Sequence, residues 1–153
     1  MTDRPITLRE ITRDTVRAIC RLEVAPAQRN FVAPNAISIS EAHFAPEAWF
    51  RAIHAADEPV GFVMLSLKPA VPEFYLWRFM IAAPFQRRGY GAAALALAVE
   101  HVRTLGAKDL LTSTVPGDGS PRPFYESLGF VATGLVDDGE EVLRLELTET
   151  AAR

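Results

Sequence analysis

Residues 73–94 read EFYLWRFMIAAPFQRRGYGAAA and place an aromatic-rich stretch directly before a glycine turn. Gly89 and Gly91 lack a Cβ, so the backbone can turn tightly there and bring its N–H groups against an anion. The run 92–102 predicts a helix whose positive N-terminal end faces the same spot. Two arginines before the glycines add positive charge. This strand, turn and helix together are typical of a pyrophosphate-binding site.

The same glycines resemble two other phosphate-binding patterns. Residues 89–94 match the G-x-G-x-x-A form of the dinucleotide fingerprint, and Asp109 lies twenty positions on. The acid of that fingerprint belongs at the C-terminal end of the second strand, whereas Asp109 precedes the apolar run 110–115. A P-loop requires a Lys-Ser/Thr pair after its glycines, and none follows here. Both patterns are therefore rejected.

Length and composition predict one domain, spanning residues 1–153. A chain of 153 residues with 49% hydrophobic content can bury one sizeable core. A net charge of −3 disfavours nucleic acid as the main partner and favours a cationic one. Cys20 is the only cysteine, and the three histidines are widely spaced, so we expect no disulfide and no metal site. With no apolar signal core or bilayer-length run, we expect a cytoplasmic protein without membrane contact.

Hydrophobic periodicity and turn residues predict a mixed α/β (α+β) fold. The predicted order is β-α-α-β-β-β-α-β-α-β-β, and the strand–helix–strand unit at 73–115 forms the parallel part of a mostly antiparallel, twisted sheet flanked by helices. Ser38-Ile39-Ser40-Glu41 has the spacing of a capping box that opens the second helix. The predicted strands are 6–11, 49–55, 60–67, 73–81, 110–115, 131–136 and 141–147, and the other helices are 12–24, 92–102 and 124–128.

Two motifs at the right separation resemble the GNAT superfamily of N-acetyltransferases. Residues 86–91, QRRGYG, match its Q/R-x-x-G-x-G/A motif, and residues 124–130, FYESLGF, match its later helix with a tyrosine. The predicted order of strands and helices agrees along nearly the whole chain. More narrowly, residues 28–35, QRNFVAPN, followed by 38–42, look like the branch of spermine/spermidine acetyltransferases.

The resemblance implies acetyl-CoA as the acetyl donor, with no metal, and a sheet splayed between its fourth and fifth strands. Main-chain groups of Phe79 and Ile81 would pair with the pantetheine arm, and N–H groups of residues 87–92 would hold the pyrophosphate. Asp118 stands where many relatives have an asparagine that contacts CoA. The implied cofactor-binding residues are Phe79, Met80, Ile81, Gln86, Arg87, Arg88, Gly89, Tyr90, Gly91, Ala92, Phe124 and Tyr125.

Acetyl transfer to an amine needs a deprotonated nucleophile, a polarised thioester carbonyl and a proton for the departing thiolate. A main-chain N–H near Phe79 or Met80 would polarise the carbonyl, and the family motif makes Tyr125 the acid. Tyr75 occupies the position at which related histone acetyltransferases carry a glutamate, so Glu73 is the candidate base, acting through a water. Strand alternation predicts one shared face for the odd-numbered residues 73, 75, 77 and 79.

The acceptor is expected to be a primary amine bound by Phe31, Glu41, Tyr75 and Trp77, because aromatic rings and a carboxylate attract an ammonium group. A polyamine fits the branch resemblance, while a peptide, an amino acid or an antibiotic amine stays open. Two other functions also stay open. One is a sensor that binds acyl-CoA without turnover, and the other is a structural homodimer joined through residues 131–147.

Overall fold

The computed structural model describes residues 2–147, which form seven strands and four α-helices. The strands are β1 (Ile6–Arg9), β2 (Ala48–Ala55), β3 (Glu58–Lys68), β4 (Glu73–Ile81), β5 (Asp109–Thr114), β6 (Val131–Asp137) and β7 (Glu140–Glu146); the helices are α1 (Val16–Cys20), α2 (Asn35–Ala42), α3 (Tyr90–Thr104) and α4 (Arg122–Ser127). One sheet contains all seven strands in the order β1-β2-β3-β4-β5-β7-β6. Every pairing is antiparallel except that between β4 and β5. The predicted mixed, mostly antiparallel fold class is confirmed.

The helices cover both faces of the sheet. On one face, α3 presents Ala94, Leu95, Ala98, Val99 and Val102 to the larger apolar core, at the three- and four-residue spacing of a helix with one buried side. On the other face, Ile19 of α1 packs with residues of β2, β3 and β4 in a second, smaller core. None of the described helices is long and apolar enough to cross a membrane.

Both N-terminal helices differ from the prediction. The helix expected at 12–24 is only Val16–Cys20, because the Thr15 hydroxyl accepts a hydrogen bond from the Thr12 N–H at 2.9 Å and holds residues 12–15 as a turn. The capping box expected at Ser38 is wrong. The second helix already begins at Asn35 after Pro34, and Ser38 lies fully buried inside it.

The parallel pair of strands is short, and the two strands then separate. Register partners exist at only two places, Tyr75 with Leu111 and Leu76 with Thr112. Beyond Leu76, β4 continues to Ile81 while β5 runs on beside β7 instead. The predicted splay between the fourth and fifth strands is therefore confirmed, and it opens a gap in the middle of the sheet.

A β-bulge in β4 lies at the point where the strands separate. Met64 of β3 is the partner of Arg78, whereas the next residue, Leu65, is the partner of Leu76, so Trp77 is an extra residue without a partner on β3. A bulge of this kind interrupts the alternation of side chains between the two faces.

The bulge corrects the predicted shared face of residues 73, 75, 77 and 79. Trp77 packs against the smaller core, on the side of α1 and α2, whereas Phe79 packs against the larger core beneath α3. The following residues continue this new phase, because Met80 belongs to the smaller core and Ile81 contacts the larger one. Phe79 therefore faces away from Trp77.

Candidate active site

The gap between β4 and β5 opens into a cavity of about 1020 Å³. Its walls come from the segment between α1 and α2, from β4, from the glycine turn, from β5 and from the start of α4. Pockets that bind cofactors and small molecules typically range from about 300 to 1,000 Å³. The cavity is therefore large enough for an extended cofactor together with part of a second molecule.

The glycine turn forms one end of this cavity. Gly89 precedes α3 with φ +80°, and Arg87 has φ 65°, so the backbone twice enters the left-handed region immediately before the helix. Alternation of this kind points successive N–H groups toward a common centre, and the first-turn N–H groups of a helix have no intrahelical acceptor. The turn therefore offers main-chain donors and a helix N-terminus to a diphosphate.

Gly91 packs closely against the aromatic wall of the cavity. A Cβ added at Gly91 would lie 3.2 Å from Cζ of Phe124, whose ring stacks on Phe79 at a centroid distance of 6.0 Å. All three residues line the cavity. The absence of a side chain at Gly91 thus lets α3 approach the aromatic wall made by α4 and β4.

Gln86 fixes the turn to the rest of the site. Its Nε2 donates to the Ile81 carbonyl at 2.8 Å and to Oε1 of Gln28 at 2.8 Å. The same Gln28 oxygen accepts from the Ala25 N–H at 3.1 Å. The sequence did not single out Gln28, although it begins the motif at 28–35. These bonds connect the end of β4 to the segment between α1 and α2.

Two of the residues predicted to bind the cofactor differ from the rest, because Arg88 does not line the cavity and the Tyr90 hydroxyl is bound elsewhere. The Tyr90 side chain is buried, and its hydroxyl donates to Asp3 at 2.6 Å and accepts from Nε of Arg4 at 3.1 Å. Arg88 is exposed, with its guanidinium 5.9 Å from the Phe85 ring centroid. The other ten predicted cofactor-binding residues line the cavity together with Tyr90.

Tyr125 lies in the cavity wall opposite β4. Its side chain is 5% exposed, and its ring packs edge-on against Phe124 and Phe130 at 5.4 Å. Burial raises the pKa of Tyr125 far above its usual range, and the hydroxyl of Thr112 beside it offsets only part of that rise. The phenol is therefore neutral at physiological pH and can donate a proton.

The predicted acceptor-binding residues are only partly brought together. Phe31, Tyr75 and Trp77 line the cavity. Glu41 lies outside its walls, where it forms an ion pair with Arg78 at 3.1 Å. Glu73, the predicted base, also lies outside the cavity walls. It begins β4, and its carboxylate lies 4.0 Å from Nζ of Lys68 at the end of β3.

A carboxylate that the sequence did not single out does line the cavity. Oε1 of Glu140 accepts a hydrogen bond from the Ser113 hydroxyl at 3.1 Å. Tyr75 lies next to both residues. Its pKa is raised chiefly by burial and further by the negative charges of Asp137 and Glu140, while a hydrogen bond with Ser113 offsets part of the rise. No motif marks these residues, because Ser113 and Glu140 belong to different strands and meet only through the β5–β7 register.

A cluster of potential metal ligands does not occur in residues 2–147, where no three His, Cys, Asp or Glu side chains are grouped suitably.

A family model described as "Acetyltransferase (GNAT) family" matches residues 16–130. Solved structures with a similar fold include PaiA N-acetyltransferase from Thermoplasma acidophilum in complex with coenzyme A, at 13% identity and a TM-score of 0.71 over 94% of this chain and 99% of that one. A GNAT family acetyltransferase from Elizabethkingia anophelis with acetyl-CoA bound has 16% identity and a TM-score of 0.67, over 93% and 98%. An acetyltransferase from Agrobacterium tumefaciens has 21% identity and a TM-score of 0.70, over 96% and 93%. No curated protein matches the sequence significantly.

Proposed function

The chain belongs to the GNAT family of acetyltransferases, and on that premise we propose that it transfers an acetyl group from acetyl-CoA to the primary amine of a small acceptor, by direct attack in a ternary complex. One observation carries the proposal. The glycine turn at the head of α3, the edge of β4 that β5 leaves, and the Tyr125 side chain all line one cavity. The whole chain would act as a single catalytic domain.

The walls of the cavity fit the donor in two places. Main-chain N–H groups of residues 87–92 would bind the pyrophosphate, because the turn has two left-handed residues and leads into a helix N-terminus. Phe79 and Ile81, on the open edge of β4, would pair with the pantetheine arm as a further strand would. When bound, acetyl-CoA supplies the reactive thioester.

Two groups of this chain would act on the thioester. An N–H on the open edge of β4 near Phe79 or Met80 would donate to the carbonyl oxygen as negative charge develops there. Tyr125 would donate its proton to the departing sulfur, because its phenol carries a proton and its residue lines the cavity.

A panel of amines tests the activity. Polyamines, amino acids, aminoglycosides and peptides are each mixed with the protein and acetyl-CoA, and release of the CoA thiol is followed over time. We expect release that depends on both the amine and the protein. Calorimetric binding of acetyl-CoA without release for any amine would favour a non-catalytic sensor, and no binding at all would contradict both functions.

We propose a polyamine such as spermidine or spermine as the acceptor. The net charge of −3, the aromatic rings of Phe31, Tyr75 and Trp77 along one part of the cavity, and the motif at 28–42 support this choice. Added salt should then raise KM for spermidine more than KM for an acceptor without net charge, because salt screens charge attraction. Turnover confined to anionic or large protein acceptors would contradict the choice.

We further propose a cytoplasmic protein that can pair with a second copy of itself. The single cysteine is compatible with a reducing compartment. On the edge strand β6, Val131, Leu135 and Val136 are each more than half exposed, and exposed apolar edges favour association. Sedimentation at micromolar concentration tests the pairing, and a monomer there would contradict it.

A further inference from the structure

The acceptor amine must lose a proton before it can attack, because a simple alkylamine is almost entirely an ammonium ion at neutral pH. Glu73, the predicted base, and Glu41, predicted to bind the acceptor, both lie outside the cavity walls and beside cationic side chains. Among the described residues that line the cavity, Glu140 alone carries a carboxylate, and none is a histidine. Glu140 is therefore the candidate base among the described residues of the cavity wall.

Glu140 lies on the side of the sheet where the acceptor would enter. Its neighbour Glu141 forms an ion pair at 2.7 Å with Arg122 of α4, and α4 covers the same face as α3. Successive side chains of a strand point to opposite faces, so Glu140 faces the side of α1 and α2. Trp77 packs on that side too, whereas Tyr125 and the glycine turn lie on the other. Donor and acceptor groups would then meet through the gap between β4 and β5.

The Glu140 carboxylate is held by a hydroxyl and not by a cation. Within residues 2–147, no cationic side chain lies within ion-pairing distance of Glu140. Its described hydrogen bond comes from the Ser113 hydroxyl, which orients one oxygen and leaves the other lone pairs for a ligand. Its register partner on β6 is Asp137, and the Tyr75 phenol lies near both carboxylates, so neither of these neighbours carries positive charge.

We propose that Glu140 is the general base that takes the proton of the acceptor ammonium, with Ser113 positioning its carboxylate. The inference rests on the acetyl transfer proposed above. One ammonium proton passes to Glu140, the free amine nitrogen forms a bond to the thioester carbonyl carbon, and the carbon–sulfur bond breaks. Tyr125 gives its proton to the sulfur and recovers one from the nitrogen through solvent, while Glu140 returns its proton to water. In sum, the ammonium form of the amine and acetyl-CoA give the amide, the CoA thiol and one proton.

The test uses two acceptors of the same skeleton and different basicity, propane-1,3-diamine and its 2,2-difluoro analogue. Fluorine lowers the basicity of the amines, so a larger fraction of the analogue is already deprotonated and needs no base. Glu140→Gln keeps the oxygen that Ser113 binds and removes the ability to take a proton. We expect its kcat for the diamine to fall by about 10²-fold, at the low end of general-base effects, and its kcat for the analogue to fall several times less.

Glu146→Gln is the matched control, because Glu146 lies on the same strand, is exposed and does not line the cavity. It should leave both rates unchanged, and the acetyl-CoA affinity of Glu140→Gln should equal that of the wild type. Equal losses for both amines, or a raised KM with unchanged kcat, would overturn the base role. A larger loss of kcat for the diamine than for the analogue in Glu73→Gln, and not in Glu140→Gln, would also overturn the base role. A wild type that releases CoA thiol with no amine of the panel would refute the proposed acetyl transfer itself, whereas a wild type active on the diamine with an equally active Glu140→Gln refutes only this inference.

Discussion

Replacing Tyr125 by phenylalanine removes one hydroxyl from the cavity wall and leaves the ring in place. The ring is held by edge-on contacts with Phe124 and Phe130, both at 5.4 Å, and phenylalanine can keep both contacts. The hydroxyl of Thr112 remains tied to the Leu76 carbonyl at 3.0 Å, so losing the phenol leaves it with a partner. The substitution therefore acts on proton donation with little change in packing.

The size of the effect follows from the role of the proton. General acid catalysis typically contributes about 10²- to 10⁴-fold, and a thiolate leaves readily, so we expect kcat to fall by about 10²-fold. Loss of one buried hydroxyl should change the free energy of unfolding by about 1 kcal/mol at most. Acetyl-CoA affinity should stay nearly constant, because the turn at 87–92 is untouched. A fall in kcat without a fall in affinity is the signature of an interaction made only in the transition state.

Steady-state thiol release gives kcat, calorimetry gives acetyl-CoA affinity, and single-turnover mixing shows whether chemistry limits the rate. Val99→Ala is the control for stability, because Val99 is buried on α3 away from the cavity and its truncation lowers stability alone. It should retain the wild-type kcat. Equal kcat in the wild type and Tyr125→Phe, with chemistry limiting, would refute the acid role and assign the residue to packing.

Three further outcomes are expected. Gly91→Val should lower acetyl-CoA affinity at least about 10-fold, because its Cβ would meet the Phe124 ring at 3.2 Å. Gly91→Ala should have a smaller effect. Undiminished calorimetric affinity in a folded Gly91→Val protein would contradict this prediction. Gln86→Ala removes the bonds to Ile81 and Gln28 and should lower the free energy of unfolding by about 1–3 kcal/mol while weakening acetyl-CoA binding, with denaturant titration as the measurement. Burial raises the pKa of Tyr125 and so moves the loss of its proton to higher pH. We therefore expect kcat not to fall between about pH 7.5 and 9.5, and a fall in that range that Tyr125→Phe abolishes would contradict the expectation.

The parts of the site that sequence could predict are those built from neighbouring residues. The glycine turn is a local feature, since Gly89 needs a positive φ and α3 follows directly after it. Tyr125 was predicted as the acid from its motif, and its residue lines the cavity. Contacts within a few residues are determined largely by backbone conformation, so a single stretch of sequence carries the information.

Other parts depend on register between distant strands and could not be read in the same way. Glu140 meets Ser113 only because β5 and β7 pair with Ser113 opposite Val142. Glu73 looked suitable from its place beside the aromatic strand, yet its side chain lies at the end of β4 near Lys68. Which of these two carboxylates lies at the cavity depends on tertiary geometry, and strand periodicity alone does not predict it.

The bulge at Trp77 explains why one strand can serve both sides of the proposed reaction. In an uninterrupted strand Trp77 and Phe79 would share a face, and the aromatic surface for an acceptor would lie on the same side as the wall against α3 and α4. The extra residue reverses the phase, so that Trp77 faces the segment between α1 and α2 while Phe79 stacks on Phe124. Because β5 separates from β4 beside this point, the two surfaces are joined through the gap. An acceptor amine and a thioester entering from opposite sides would then meet along the open edge of β4, with a carboxylate on one side and a phenol on the other.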